Sequence, residues 1–526
     1  MSAQPRILYS FSLAKAQHGI YTHSVGKRAL LSVYDKTGIE EFARILTELD
    51  FEIISTGGTL KTLKKAGIPA IAVEDVTGFS ECFGGRVKTM HPAVFGGILF
   101  RRGNPDDEAS ADKQKIAPIG LVCVNLYPFA DKQDIETIDI GGPALLRSAA
   151  KNYEDVIVVC DPADYKRVAA ELKIGAPSQR LRRELAAKAF LRTAAYDTMI
   201  TEWLSDGKNT GVMLTDGQTL RYGENPHQWG KYFSIFEPSH PARTTVQPEE
   251  KGVCWQKLQG KEVSYLNLLD ADAAWAAANE FEAPTAVFVK HANPSGIASR
   301  ESIEDAFQLA YDADRLSAFG VIIALNRGCT AEIAQKIIEQ KIFVEVIIAP
   351  SFENGTLEIL RQKPNIRVIV AYGGLLQNYR SALGGMLVQN TDDRIVTERD
   401  LTVVTEKKPS ADQVRDLLFA WKCVKHCKSN AIVFAKDRVT VGIGAGQTSR
   451  VDAAWIAAKR AGKKANGAVM ASDAFFPFPD SVEEAASRGI AAIIQPGGSV
   501  RDQEIFAKAG ALEVVMVTTG VRAFRH

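Results

Sequence analysis

Long apolar runs are the first thing this sequence lacks. None approaches the roughly 18 residues of a membrane-crossing helix; the longest, such as IGLVCVNLY and AAIIQPGG, are strand-length and end in turn residues. Excess charge is missing too: 63 Lys+Arg stand against 62 Asp+Glu, a formal net charge of +1. That balance argues against a nucleic-acid binder while leaving room for a local basic pocket. Cysteine is scarce and odd in number, seven scattered through 526 residues, the usage of reduced thiols in a cytoplasmic protein rather than of a disulfide frame. Residues 1–26 contain no acid and no apolar signal core, and read as a poorly ordered N-terminal extension. Cys423, His426 and Cys427 share helical spacing, but no second ligand pair follows, so a packed helix face is expected rather than zinc.

What is present is an ordinary globular composition, 46% apolar and 24% charged, with length for three or four average domains. In the first half, strand and helix signals alternate. RALLSVYD (28–35) reads as a buried strand, and KTGIEEFARILTELD (36–50) has Ile39, Phe42, Ile45, Leu46 and Leu49 at helical spacing. FEIIS, IAPIGLVCVNLYPF (116–129) and DVIVVCD (155–161) read as further strands. Such alternation predicts a doubly wound α/β domain with its ligand site at the strand C-ends. Residues 161–206 read as charged helix, and a linker-like stretch near 204–211 suggests domains at 27–208, with its core about 27–165, and at 209–526. In the second region AVFVKHANPSGIA (286–298) and AIVFAKDRVTVGIGAG (431–446) look alike, which suggests an internal duplication.

Polar clusters fall at the expected strand ends. Ser32 to Lys36 closes one strand, and Thr56-Gly57-Gly58-Thr59 closes the next and opens a helix. Backbone N–H groups and hydroxyls at a helix start suit an anion, although a capped turn looks the same. GGRVKTMHP (84–92) adds Arg86, Lys88 and His91, while Asn125, Tyr127, Asp139 and Lys151 complete the polar set. Lys88, Tyr127 and Lys151 could stabilise an oxyanion while Asp139 orients or accepts a proton, or all could be solvated charges with one satisfied tyrosine. GIGAGQTS (442–449) lacks the third glycine of a dinucleotide fingerprint, so NAD is not expected.

SVYDKTG, STGGT, GGRVKTMHP, VNLYPF and IDIGGPALLRSAAKN stand in order, followed by LRYGENPHQ, LNLLDADAAW, KHANPSG, KSNAIV, GIGAGQTSRVDA, ASDAFFPFPD and GVRAFRH. From about residue 27 to the end, the chain resembles the bifunctional purine-biosynthesis family that joins phosphoribosylaminoimidazolecarboxamide formyltransferase to IMP cyclohydrolase. The resemblance implies a methylglyoxal-synthase-like N-terminal domain and a duplicated cytidine-deaminase-like transformylase region. It implies formyl transfer from 10-formyltetrahydrofolate to 5-aminoimidazole-4-carboxamide ribonucleotide (AICAR), then closure of the product (FAICAR) to IMP. A homodimer is implied, with structural potassium in some relatives; the zinc motifs of deaminases are absent.

Carried over residue by residue, Ser32, Lys36, Thr56, Gly58, Thr59, Arg86 and Thr89 match nucleotide-phosphate contacts, and Lys88, Tyr127, Asp139 and Lys151 match the cyclohydrolase group. Lys290 and His291 match the formyl-transfer pair. Neighbours on a strand point to opposite faces, so a bend at Asn293-Pro294 is expected to bring both to one site. Arg221, Tyr222, His227, Glu345, Asn430, Phe475, Asp480 and Arg522 match substrate-contacting positions, with Glu345 replacing an Asp of some members. Rival expectations are a nucleotide-binding regulator and a metal-free nucleotide hydrolase.

Overall fold

A computed structural model describes residues 27–236, 255–373 and 377–526; the N-terminal extension expected over 1–26 lies outside them. The described residues form two compact units, 27–213 with 235–236, and 214–234 with 255–373 and 377–526.

In the first unit β1 (Arg28–Val33), β2 (Glu52–Ser55), β3 (Ile71–Ala72), β4 (Leu121–Asn125) and β5 (Ile157–Val159) form a parallel sheet in the order β3-β2-β1-β4-β5. Ala29, Leu30, Leu31, Val122 and Ile157 are fully buried, so the strands read as continuous apolar runs, as a sheet covered on both faces requires. β4 is shorter than the run 116–129 predicts: Pro118 precedes it, and the N–H groups of Ile119 and Gly120 go to Gly97 and Arg28 carbonyls. The order of the strands reverses between β1 and β4, which opens a crevice at their C-ends.

A separate antiparallel pair, β6 (Met213–Thr219) and β7 (Lys231–Phe236), follows. The second unit then supplies β8 (Trp255–Gln259), β9 (Thr285–Lys290), β10 (Asn293–Ser299), β11 (Phe319–Leu325), β12 (Phe343–Ala349) and β13 (Arg367–Ala371). After a hairpin of β14 (Gln377–Ala382) and β15 (Gly385–Asn390) come β16 (Thr402–Val403), β17 (Ile432–Lys436), β18 (Val439–Gly444), β19 (Val469–Ser472), β20 (Ala492–Gln495) and β21 (Val515–Thr518).

The twelve-stranded order β16-β21-β20-β19-β17-β18-β10-β9-β11-β12-β13-β8 reads the same from both ends. Pairing repeats as well: β9–β10 and β17–β18 are antiparallel hairpins, β11–β12–β13 and β19–β20–β21 are parallel, and each edge strand is antiparallel. The unit is therefore an internal duplication meeting at β10–β18. Helices Tyr265–Ala278 and Ala411–Lys425 lie on one face over a shared core, and the other face carries one core per half. Both helices open on a capping box, Ser264 with Asn267 and Ser410 with Gln413, each hydroxyl accepting a backbone N–H at 3.2 Å. Gly296 and Gly442 do the same work in each half. A Cβ at either would run into a helix carbonyl, of Ala310 or Ala457, so strand and helix meet backbone to backbone.

Candidate active sites

In the first unit the crevice is built from three strand ends. Ser32 Oγ lies 2.9 Å from Thr56 Oγ1, and Thr59 Oγ1 accepts the Val33 N–H and returns a bond to its carbonyl, at 3.0 and 2.9 Å. These hydroxyls pin β1 to the start of helix Gly57–Lys65, whose first N–H groups stay aimed outward. Two ammonium groups converge there. A Cβ built on Gly58 would stand 3.7 Å from Lys36 Nζ, and one on Gly57 3.9 Å from Lys88 Nζ. A helix N-terminus with two lysines and no side chains in the way is an anion site.

Lys88 is held by Glu81 at 3.0 Å, and Arg86 pairs with Glu136. Both pairs are partly exposed, so an arriving anion can exchange with the carboxylates at little cost. Thr89 is buried, its hydroxyl 3.1 Å from where a Cβ on Gly141 would be. His91 caps helix Pro92–Leu99 through Nδ1, which accepts the Ala93 N–H at 3.1 Å. Asn125 acts as a clamp: its Oδ1 accepts the N–H groups of Tyr34 and Asp35 at 2.6 and 3.0 Å, and its Nδ2 donates to the Asp35 carbonyl. Tyr127 is exposed, its ring 5.2 Å from that of Tyr34.

Asp139 sits at the start of helix Gly141–Lys151, where its Oδ1 accepts the Gly142 N–H at 2.8 Å. Burial raises its carboxyl pKa, against the pull of backbone bonds from Gly142 and Tyr127. Its own N–H donates to Tyr196 Oη at 2.7 Å, a support that sequence reasoning missed because Tyr196 lies 57 residues further on. Lys151 is the exception. It ends the same helix, about 15 Å from its start at 1.5 Å per residue, and lines a separate cavity with Leu99, Arg147 and Phe190. Lys151 thus stands a helix length from Asp139 within this chain.

In the second unit the expected bend lies elsewhere than Asn293-Pro294. The chain reverses at His291-Ala292, both with left-handed φ, 55° and 57°, in a two-residue turn between β9 and β10. His291 is therefore at a hairpin tip and not on a strand, which removes the problem of opposite faces. Lys290 Nζ donates to the Phe319 carbonyl across the sheet. Lys290 and His291 line one cavity of about 270 Å³ together with Ser295, Asp314, Ser317 and Arg460. The turn is held from helix Tyr265–Ala278, where Asp270 accepts the His291 and Ala292 N–H groups at 3.3 and 2.8 Å.

Asn293 joins this turn to the next group, its Oδ1 accepting the Lys428 N–H at 2.9 Å. Asn430 donates to the Gln447 carbonyl, and its Oδ1 accepts from Arg450 at 2.7 Å. Arg450, buried, also reaches Asp473 at 2.5 Å and the carbonyl of exposed Phe475. Asp480 takes the Ser481 N–H at 2.7 Å where the next helix begins. The C-terminal segment enters through the Ala523 N–H, which donates to the Asp473 carbonyl, and puts Arg522 over the Phe524 ring. Arg450 and Asp473 were not expected; the buried Arg–Asp pair is invisible in a sequence where they stand 23 residues apart.

Glu345 lies in an irregularity of β12, since Val321 pairs with Val344 but Ile322 with Val346. Bulges re-aim side chains, and Glu345 meets buried Arg367 at 2.6 Å. Ile322 also pairs with Val289, so the N-terminal ends of β11 and β12 flank the Lys290 end of β9. Arg367 bonds the Glu262 carbonyl, and next to it the Val263 carbonyl accepts the Arg221 N–H, with Arg221 over the Tyr222 ring. His227 is exposed in the following turn. Cys423 and Cys427 are packed thiols raised by burial, and His426 pairs with Glu280 at 3.1 Å. Among the described residues no three His, Cys, Asp or Glu form a metal group, and no helix is long and apolar enough to cross a membrane.

Comparison with known proteins matches the chain to one family. The model described as MGS-like domain covers residues 38–153 and that of the AICARFT/IMPCHase bienzyme covers 149–460. The chain is 48% identical over 521 residues to the bifunctional purine biosynthesis protein PurH of Oceanobacillus iheyensis, covering 95% of this chain and 100% of that one. It is 45% identical over 520 residues to PurH of Bacillus subtilis, covering 95% and 99%. The crystal structure of ForH is 36% identical, covers 35% of this chain and 98% of that one, and has a TM-score of 0.33. With an MGS-like domain in front of a duplicated second unit, and end-to-end likeness to the PurH proteins, the chain belongs to the AICARFT/IMPCHase bienzyme family.

Proposed function

We propose that the hairpin tip of the second unit transfers the formyl group and that the strand-end crevice of the first unit closes the ring. The chain is a bifunctional enzyme of the last two steps of IMP synthesis, formyl transfer to AICAR and cyclisation of FAICAR. The observation that carries the assignment is Lys290 and His291 lining one cavity at a turn that leaves the imidazole exposed.

The AICAR amine is a poor nucleophile because its lone pair is delocalised. As its nitrogen attacks the formyl carbon of 10-formyltetrahydrofolate, His291 takes the proton it loses. An ammonium has three donors, so Lys290 can keep the Phe319 carbonyl and still stabilise the developing oxyanion. The folate nitrogen then leaves, protonated. In this reading Asn430 and Phe475 orient the two substrates, and Glu345, Arg221, Tyr222, His227, Asp480 and Arg522 supply further contacts.

For closure, the carboxamide nitrogen of FAICAR attacks its own formyl carbon, and water is lost as the ring C=N bond forms. Lys36, Ser32, Thr56, Gly58, Thr59, Arg86 and Thr89 hold the phosphate, Lys88 and Tyr127 face the oxyanion, and Asp139 moves protons. A carboxyl raised by burial suits proton exchange better than an ordinary one. Asn125 acts by holding the 34–35 loop, and Lys151 acts from the far end of its helix. The protein works in the cytoplasm as a homodimer.

The test follows tetrahydrofolate release and IMP formation separately. His291→Ala stops folate turnover while leaving closure of supplied FAICAR intact, and Lys88→Ala does the reverse, with a loss of about 10²–10³-fold. Wild-type protein that transfers no formyl group would bring the regulator or the metal-free hydrolase forward.

A further inference from the structure

The two halves of the second unit make the same hairpin, and only one of them carries a histidine. At the end of β17, Asp437 and Arg438 have left-handed φ of 52° and 54°, as His291 and Ala292 do. Asp416 on helix Ala411–Lys425 accepts both their N–H groups, each at 2.8 Å, as Asp270 does for the catalytic turn. Lys436 donates to the Asn466 carbonyl where Lys290 donates to that of Phe319. Lysine, two-residue turn and buttressing carboxylate are thus a repeated device.

A two-residue hairpin turn with both central residues left-handed favours Asn-Gly, because other side chains resist that conformation. His-Ala and Asp-Arg are poor choices, so something outside the turn has to hold it. In each half it is the aspartate that bonds both turn N–H groups. Asp270 is buried, and its carboxylate also faces the His291 and Lys428 side chains. Without it the His291-Ala292 segment is free to relax toward an extended backbone, which would swing the imidazole to the other face of the sheet.

We infer that Asp270 is the positioning residue of formyl transfer: its carboxylate, clamping both N–H groups of the His291-Ala292 turn, keeps the imidazole at the rim of the Lys290 cavity. The inference rests on the assignment of His291 above. The second half supplies the control, because Asp416 performs the same structural task at a turn that carries no histidine.

Asp270→Asn leaves one acceptor and turns an amide NH₂ toward the other turn N–H. The expected result is a fall in kcat for formyl transfer of about 10- to 100-fold, with KM for AICAR and 10-formyltetrahydrofolate changed less than about threefold and FAICAR closure unaltered. Asp270→Asn and Asp416→Asn should lower the melting temperature by similar amounts, while Asp416→Asn leaves formyl transfer within about twofold. Asp270→Glu, which keeps the charge and both oxygens, should recover part of the lost kcat. Equal losses of transfer in Asp270→Asn and Asp416→Asn, or no loss in Asp270→Asn, would overturn the inference. If His291→Ala itself keeps transfer, the assignment of the site fails first.

Discussion

Gly142 offers a test in which two physical effects have opposite sign. It occupies the first turn of helix Gly141–Lys151, and replacing a helix glycine by alanine ordinarily stabilises by about 0.5–1 kcal/mol through lost backbone freedom in the unfolded chain. Here an added Cβ would stand 2.8 Å from Leu126 Cδ2 and 2.9 Å from Asp139 Cγ, and closer still to Asp139 Oδ2. Such overlap costs about 1–3 kcal/mol in a packed site, and displacing the carboxylate loses a helix-capping bond worth about 1 kcal/mol. The net expectation for Gly142→Ala is destabilisation by about 1–3 kcal/mol, or a melting temperature lower by about 2–10 °C for a unit of this size. Shifting Asp139 by about 1 Å should slow FAICAR closure by about 10²-fold, with formyl transfer by the other unit as the internal control. Calorimetry and a closure assay on the same preparation decide it. A raised melting temperature, or closure at the wild-type rate, would show that Asp139 does not need its place on the helix.

Other outcomes can be checked with the same preparations. Glu345→Gln leaves Arg367, 4% exposed, facing an uncharged partner that is itself 35% exposed, and should cost about 1–3 kcal/mol in chemical denaturation, less than a fully buried pair; adding Arg367→Met should restore more than half of it. Burial holds the His426 imidazole below its usual pKa, against the pull of Glu280. The unfolded chain therefore takes up that proton first as pH falls, so stability is complete above about pH 6.5 and declines below it; His426→Gln should flatten that acid decline measured by thermal melts. Gly296→Ala and Gly442→Ala should each destabilise by about 1–3 kcal/mol, and a large difference between them would argue against equivalent helix packing in the two halves.

What could be read in the sequence was what local chemistry dictates. Thr56-Gly57-Gly58-Thr59 announces a helix start open to an anion, because glycine and hydroxyl act on the backbone beside them. The alternation of the first half and the likeness of 286–298 to 431–446 foretold the parallel sheet and the duplication for the same reason. The reversal lies at His291-Ala292, a dipeptide with no turn signal of its own, and the carboxylate that bonds it, Asp270, stands 21 residues earlier on a helix. Asp139 and Lys151 stand close in sequence, yet the helix Gly141–Lys151 sets them at its two ends. Glu345, Arg450 and Asp473 depend on partners in other strands, which no local pattern encodes.

The repeat separates what the fold needs from what the reaction needs. Capping boxes, packing glycines, turn aspartates and the lysine-to-carbonyl bond occur in both halves, so each belongs to the architecture. The halves differ in two places: His291 stands where Asp437 does, and the Ala431 N–H goes to Asp473 where that of Thr285 goes to neutral Asn326. Asp473 in turn binds Arg450, which holds Asn430. Lys290 belongs to both classes, and Lys436 can divide its two roles. Lys436→Ala removes only the bond to the Asn466 carbonyl, and should cost about 1–2 kcal/mol with transfer intact. Lys290→Ala should cost the same stability and also lower formyl transfer by about 10²–10³-fold, as loss of an oxyanion donor does. Unequal stability with equal transfer would assign Lys290 to the fold alone and leave His291 to carry the chemistry without it.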